Sequence, residues 1–171
     1  MLVAIDLQND TFDASGSSYG EWTEKIKNDI TARIQKAIDD NESIIYTKNL
    51  YPEFEHDRRS TESIRFDETI YPEFFALLEN YGDEYVKTFY GIPPEEAKKI
   101  QEEYQEEVET NQTIEFIGVE TNICILANLM VIQNIFPQAD ITVNKDLVGS
   151  SNEDLHDKTL EVLKNMNVII K

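Results

Sequence analysis

The sequence predicts a three-layer α/β fold in which a mostly parallel, six-stranded sheet is covered by helices on both faces. Three observations predict it. Short apolar runs alternate with longer segments of helical period. Several of those runs are apolar throughout, as in strands buried on both faces. At 171 residues and 40% hydrophobic content, the chain has the size and composition of one folded domain, residues 1–171, around a single core.

The elements are taken in order along the chain. LVAI (2–5) is the first strand. Trp22, Ile26, Ile30, Ile34 and Ile38 recur every four residues among charges, which predicts a helix over Trp22–Asp40 with Trp22 on its core side. SIIYTK (43–48) is the second strand. Asn49–Glu68 is charged, aromatic and weakly periodic, and is expected to be an ordered loop after a strand end, where α/β proteins bind ligands. EYVK (84–87) is the third strand, and Pro94 opens a helix whose Glu95 and Glu96 match the dipole of its first turn. IEFIG (114–118) is the fourth strand. Asn122–Phe136, apolar nearly all round, predicts a helix packed on the sheet and able to meet a second subunit, ended by Pro137. After DITVNK (140–145), Ser151 with Glu153 and Asp154 starts a last helix burying Leu155, Leu160 and Leu163, and NVIIK (167–171) returns to the sheet.

Acidic residues outnumber basic ones 34 to 15, a formal charge of −19. Nucleic acid and anionic membranes are therefore repelled at long range and are not expected partners. One cysteine forms no internal disulfide, and MLVAIDLQND has neither a basic leader nor a membrane-length apolar run, so a reducing, cytoplasmic setting is expected. No glycine-rich phosphate motif follows the first strand, and no organic cofactor is implied.

Three polar residues fall at or just after strand ends: Asp6, Lys87 and Cys124. In a doubly wound sheet these ends share one edge, where a carboxylate, an ammonium and a thiol can meet. Cys124 lies where a strand and glycine turn give way to a helix, whose free N–H groups and dipole favour thiolate. Asp6 could then carry the thiol proton, Lys87 hold the thiolate, and N–H groups near residues 120–124 bind an oxyanion. Spacing alone leaves other readings open: a small buried cysteine, a helix-capping aspartate, a surface lysine, or a thiol redox sensor.

The whole chain resembles the isochorismatase-like cysteine hydrolases, which include nicotinamidases. LVAIDLQND resembles their first strand and aspartate, VKTFYG their lysine block, and GVETNICI their nucleophile block; Ser150–Leu163, with His156, resembles their last helical region. The resemblance implies a Rossmann-like domain and a catalytic triad of Asp6, Lys87 and Cys124. It also implies an oxyanion hole from the backbone N–H groups of Glu120 and Cys124 and a cis peptide between Val119 and Glu120.

The implied activity is hydrolysis of a small amide or related carboxyl derivative. Vinyl ether hydrolysis of the isochorismatase type and a non-catalytic small-molecule-binding role are the alternatives. A homodimer or larger homo-oligomer is implied as well. Two departures stand out. Where nicotinamidases hold a metal with Asp and His after the second strand, YTKNLY offers Asn49 and Tyr51, so no catalytic metal is expected. Thr11 precedes Phe12 where the family has Phe directly. The expected pocket residues are Phe12, Asn49 and Tyr51. His56 is expected in solvent, His156 in a structural role, and Arg58, Arg59 and Arg65 beside carboxylates.

Overall fold

Six strands pair side by side, all in parallel, in the order β3-β2-β1-β4-β5-β6. The computed structural model describes residues 1–171. Along the chain come β1 (Leu2–Ile5), α1 (Asn9–Phe12), α2 (Trp22–Asp39), β2 (Ile44–Asn49), α3 (Glu53–His56), α4 (Thr61–Asp67), α5 (Pro72–Leu78) and β3 (Gly82–Lys87). Next are α6 (Pro94–Asn111), β4 (Thr113–Val119), a π-helical turn (Thr121–Ile125), α7 (Leu126–Ile135), β5 (Asp140–Gly149), α8 (Glu153–Asn165) and β6 (Ile169–Ile170).

The central strand β1 is buried throughout and its side chains alternate between two cores. Val3 and Ile5 join the core under α6, α7 and α8, with Ile100, Leu129 and Leu163. Leu2 and Ala4 join the core under α2 and α5, with Ile30, Ile34 and Phe74. This is the three-layer arrangement expected from strands that are apolar on both faces.

Several boundaries differ from the sequence expectation. The stretch 49–68 holds two short helices instead of a loop. In α4 the Ser60 side chain accepts from the Ser63 N–H at 3.1 Å, and Ile64 is the buried anchor. The segments α1 and α5 add two more helices, the latter with proline in its first turn. Strand β5 runs on to Gly149 through a register shift opposite Phe116–Gly118. Strand β6 is cut short because Asn167 adopts φ 62° and Val168 still bonds back to Leu163 in α8. The α8 cap is Asn152, whose side chain accepts from the Leu155 N–H at 3.0 Å, and Leu155 itself is exposed. Trp22 is half-buried against the α2 core.

A close approach between β4 and β1 shapes the carboxyl edge of the sheet. Gly118 has φ 111°, and a β-carbon there would stand 2.1 Å from the carbonyl oxygen of Ile5. Only glycine lets β4 pass so near the end of β1. Strands β1 and β4 flank the point where the strand order reverses, and their carboxyl ends open on the crevice that this topology creates.

Candidate active site

Asp6 is the first residue beyond β1 and adopts φ 52°, a left-handed conformation that turns the chain out of the sheet. Thr47 on the neighbouring β2 fixes it twice: its hydroxyl oxygen accepts the Asp6 N–H at 3.0 Å and its hydroxyl donates to Asp6 Oδ1 at 2.6 Å. The other carboxylate oxygen meets Lys87 Nζ at 2.8 Å. Asp6 caps no helix, since the first turn of α1 has no side-chain cap.

Lys87 ends β3 and is 1% exposed. Its ammonium has three protons and three oxygen partners: Asp6 Oδ2, Asn49 Oδ1 at 3.0 Å and the Phe89 carbonyl at 2.8 Å. Cys124 Sγ is a fourth neighbour at 3.5 Å. The sulfur thus receives the field of the ammonium more than a hydrogen bond from it. A buried cation with a salt-bridged carboxylate and two further acceptors meets the conditions under which such burial is tolerated.

Cys124 does not sit at the first turn of an α-helix. The segment after β4 begins with a π-helical turn, and Cys124 is its fourth residue. Burial pushes the thiol up to about 12, the Asp6 charge adds to the rise, and Lys87 pulls against it. The expectation of a resting thiolate is corrected: desolvation and a carboxylate outweigh one ammonium, and the thiol keeps its proton at neutral pH.

The bond between Val119 and Glu120 is cis. Glu120 N–H meets no acceptor within the chain, and Glu120, Ile123 and Cys124 line the same cavity. That cavity, of about 230 Å³, also reaches Asp6, Asn49 and Tyr51. Phe12 does not line it. It is fully buried, edge-on to Phe74 at 5.0 Å between ring centres, and its neighbour Thr11 supplies the wall instead.

Some participants were not singled out from sequence. Thr47 carried no signal beyond its place in a strand. Asn128 did, as an amide among the apolar residues of the first turns of α7, and it is the fully buried one of the three amides in that helix. Its Nδ2 donates to the Tyr90 and Cys124 carbonyls at 2.9 and 2.7 Å, and its Oδ1 accepts the Ile92 N–H at 2.7 Å. It thereby ties the segment after Lys87 to the turn holding Cys124. His156 meets Thr121 Oγ1 at 2.9 Å and fastens α8 to the π turn.

The donors after β2 do not fit a divalent metal. Asn49 Oδ1 is already engaged by the Lys87 ammonium, and burial raises the Tyr51 phenol above its ordinary range, keeping it neutral. His56 is exposed on α3, and no three His, Cys, Asp or Glu side chains come together as a metal-binding group. Of the three arginines, Arg59 pairs with Asp67 and Arg58 lies 3.6 Å from Glu55, while Arg65 has no ion pair.

A parallel, doubly wound sheet with aspartate, lysine and cysteine gathered at its switch point defines an α/β protein with a catalytic-triad-like cluster. The chain belongs to the isochorismatase domain family, whose profile matches residues 1–171. Its fold is similar to that of a pyrazinamidase/nicotinamidase from Streptococcus mutans, at 23% identity and TM-score 0.80 over 99% of this chain and 98% of that one. It is also similar to a nicotinamidase from Bacillus subtilis, at 19% identity and TM-score 0.76 over 99% and 97%. A pyrazinamidase from Pyrococcus horikoshii in complex with zinc matches at 17% identity and TM-score 0.72, again over 99% and 97%. A search of curated protein sequences gave no match. No helix is long and apolar enough to cross a membrane.

Proposed function

We propose that the protein is a cysteine-dependent hydrolase of a small amide or related carboxyl derivative, acting without a metal. The observation that carries this reading is Lys87 Nζ standing 2.8 Å from Asp6 and 3.5 Å from Cys124 Sγ beside a cavity lined by both partners.

Cys124 Sγ attacks the substrate carbonyl while its proton passes to Asp6. The carbonyl oxygen becomes an oxyanion held by the N–H groups of Glu120 and Cys124. Asp6 then gives the proton to the departing nitrogen, the C–N bond breaks, and an acyl thioester remains on Cys124. Water attacks the thioester as Asp6 takes one of its protons. The C–S bond breaks, the acid leaves, and the proton returns to sulfur, so amide and water become acid and amine with the enzyme restored. Lys87 stays charged throughout and faces whichever neighbour is negative.

The test is a panel of small amides and esters, with acid and amine release followed for the wild type and for Cys124→Ala, before and after exhaustive chelation. Turnover that vanishes in Cys124→Ala and survives chelation is expected. Turnover unchanged by the substitution refutes the nucleophile, and turnover lost on chelation and restored by a divalent metal refutes the metal-free mechanism. The exposed Met130 on α7 supports self-association, and a monomer at every concentration in sedimentation equilibrium would refute that part.

A further inference from the structure

The charges that line the cavity are all of one sign. Asp6, Asp10 and Glu120 are the charged residues of the lining, and no lysine, arginine or histidine belongs to it. Asp6 is neutralised by Lys87 behind it. Asp10 and Glu120 have no cationic partner anywhere in the chain.

Their hydrogen bonds are also incomplete. Ser17 Oγ lies 2.8 Å from Asp10 Oδ1 and 2.5 Å from Asp67 Oδ2, yet one hydroxyl has one proton, so only one carboxylate receives it at a time. Glu120 Oε2 accepts from the Ser151 N–H and hydroxyl at 3.1 and 3.0 Å, and it competes at 3.0 Å for the Ser150 hydroxyl proton with Asn122 Oδ1 at 2.5 Å. Its Oε1 receives none. The Arg59 guanidinium is already engaged: it lies 4.5 Å above the centre of the Tyr51 ring, covering one face of it, and pairs with Asp67.

The rest of the wall adds aromatic surface. Tyr51 and Tyr90 both line the cavity, and Phe89 packs edge-on against Tyr90 at 5.5 Å. Phenol rings beside carboxylates that lack a cationic partner are what a cationic nitrogen binds, through Coulomb attraction and the negative face of the ring. An anionic substrate meets the same carboxylates as repulsion, which discriminates as strongly as the attraction does.

We propose that this site selects substrates that carry a positive charge away from the scissile carbonyl, an ammonium, amidinium or quaternary nitrogen, and rejects carboxylates. Asp10 and Glu120 are its charge-selecting residues, and Tyr90, with the face of Tyr51 that Arg59 leaves uncovered, supplies the aromatic surface. The cavity is smaller than a drug-sized pocket, so the substrate is a small cationic amide. This inference rests on Cys124 being the accessible nucleophile of the site.

A pair of thiol reagents of opposite charge tests it without knowing the substrate. Trimethylammonioethyl methanethiosulfonate and sulfonatoethyl methanethiosulfonate each transfer their thioalkyl group to a cysteine sulfur and release methanesulfinate. Rates at Cys124, divided by rates with a neutral small thiol, are followed by intact mass spectrometry in wild type, Asp10→Asn, Glu120→Gln and Asp6→Asn. Asparagine and glutamine keep an acceptor oxygen, and glutamine keeps the residue 120 N–H.

The expected normalised cation-to-anion ratio is about tenfold or more. It should persist in part at 1 M salt, where the screening length is about 3 Å and the distant surface charge no longer acts. Either carboxylate substitution should shrink it. A ratio near one, with Cys124 still reacting and still responding to Asp6→Asn, overturns charge selection and leaves the hydrolase reading standing. A ratio that high salt abolishes, or that neither carboxylate variant changes, assigns it to the overall charge and also overturns the proposal. No reaction with either reagent in any variant removes the nucleophile, and both readings fall together.

Discussion

Asp6→Asn drives two readouts in opposite directions if Asp6 is the base beside a protonated thiol. The Cys124 thiol stands at about 12 against an ordinary 9.0, so at neutral pH its thiolate is about a thousandfold rarer than that of a free thiol. Part of that deficit is recovered because a more basic thiolate is about threefold more nucleophilic per unit, leaving alkylation about thirtyfold slow. Burial is the largest cause of the rise and stays in the variant. The Asp6 charge is the next largest and disappears, while Lys87, still 3.5 Å away, continues to favour thiolate. The variant therefore holds more thiolate and reacts with iodoacetamide faster than the wild type. Amide turnover should fall by about 10²–10⁴ in the same preparation, the usual cost of losing a general base. Asparagine keeps an oxygen for the Thr47 hydroxyl, so the turn after β1 is preserved. The assay is pseudo-first-order iodoacetamide incorporation between pH 6 and 9, beside product release. Alkylation that slows or does not change refutes the electrostatic account of the thiol, and turnover within tenfold of wild type refutes Asp6 as the base.

Lys87→Met should move alkylation the other way, because the one charge that lowers the thiol is removed; faster alkylation at pH 8 would contradict this. Gly118→Ala forces a β-carbon within 2.1 Å of the Ile5 carbonyl at φ 111°, and a loss of about 3 kcal/mol or more in urea unfolding is expected; a loss below about 1 kcal/mol would mean the two strands separate easily. Stability should also decline at alkaline pH. Tyr85 and Tyr104 donate to Glu103 and Asp83, and burial raises both phenols above their ordinary 10.0. Their contribution is full below pH 10 and is lost as the pH climbs beyond it, since the unfolded chain releases these protons first. Tyr104→Phe should flatten the fall of melting temperature above pH 10, and an unchanged slope would count against the pairing.

The three residues of the cluster were legible because each is tied to a strand end, and buried parallel strands announce themselves as short apolar runs. Lys87 closes VK, Asp6 follows LVAI, and Cys124 is the fifth residue after IEFIGV. What was not legible depends on neighbours remote in sequence. The expectation of a thiolate at Cys124 rested on a helix N-terminus. It failed because a π turn takes that place and because Asp6 and the surrounding burial, both set by tertiary packing, decide the proton. Helices α3 and α4 were hidden by their length: four and seven residues, with Ile64 the only buried apolar side chain between them. Phe12 was placed in the pocket because it follows the aspartate block closely. The turn of α1 points it inward to Phe74 and gives the wall to Thr11.

A protonated resting thiol bears on the competing reading of Cys124 as a redox sensor. Sensors use low-pKa, accessible thiolates that oxidants reach first, and a thiol held at about 12 by burial is the opposite. It suits a hydrolase for a reason that the lysine geometry makes concrete. All three Lys87 protons are held by oxygen, on Asp6, Asn49 and the Phe89 carbonyl, so the ammonium has no need to move as the reaction proceeds. When sulfur loses its proton to Asp6, the negative charge passes from one neighbour of Lys87 to another and the buried charge total is unchanged. Creating a second charge in a largely buried site is the costly event there, and relocating an existing one around a fixed cation avoids it. The feature that makes Cys124 slow to react at rest therefore also keeps its activation electrostatically neutral once a carbonyl is in place.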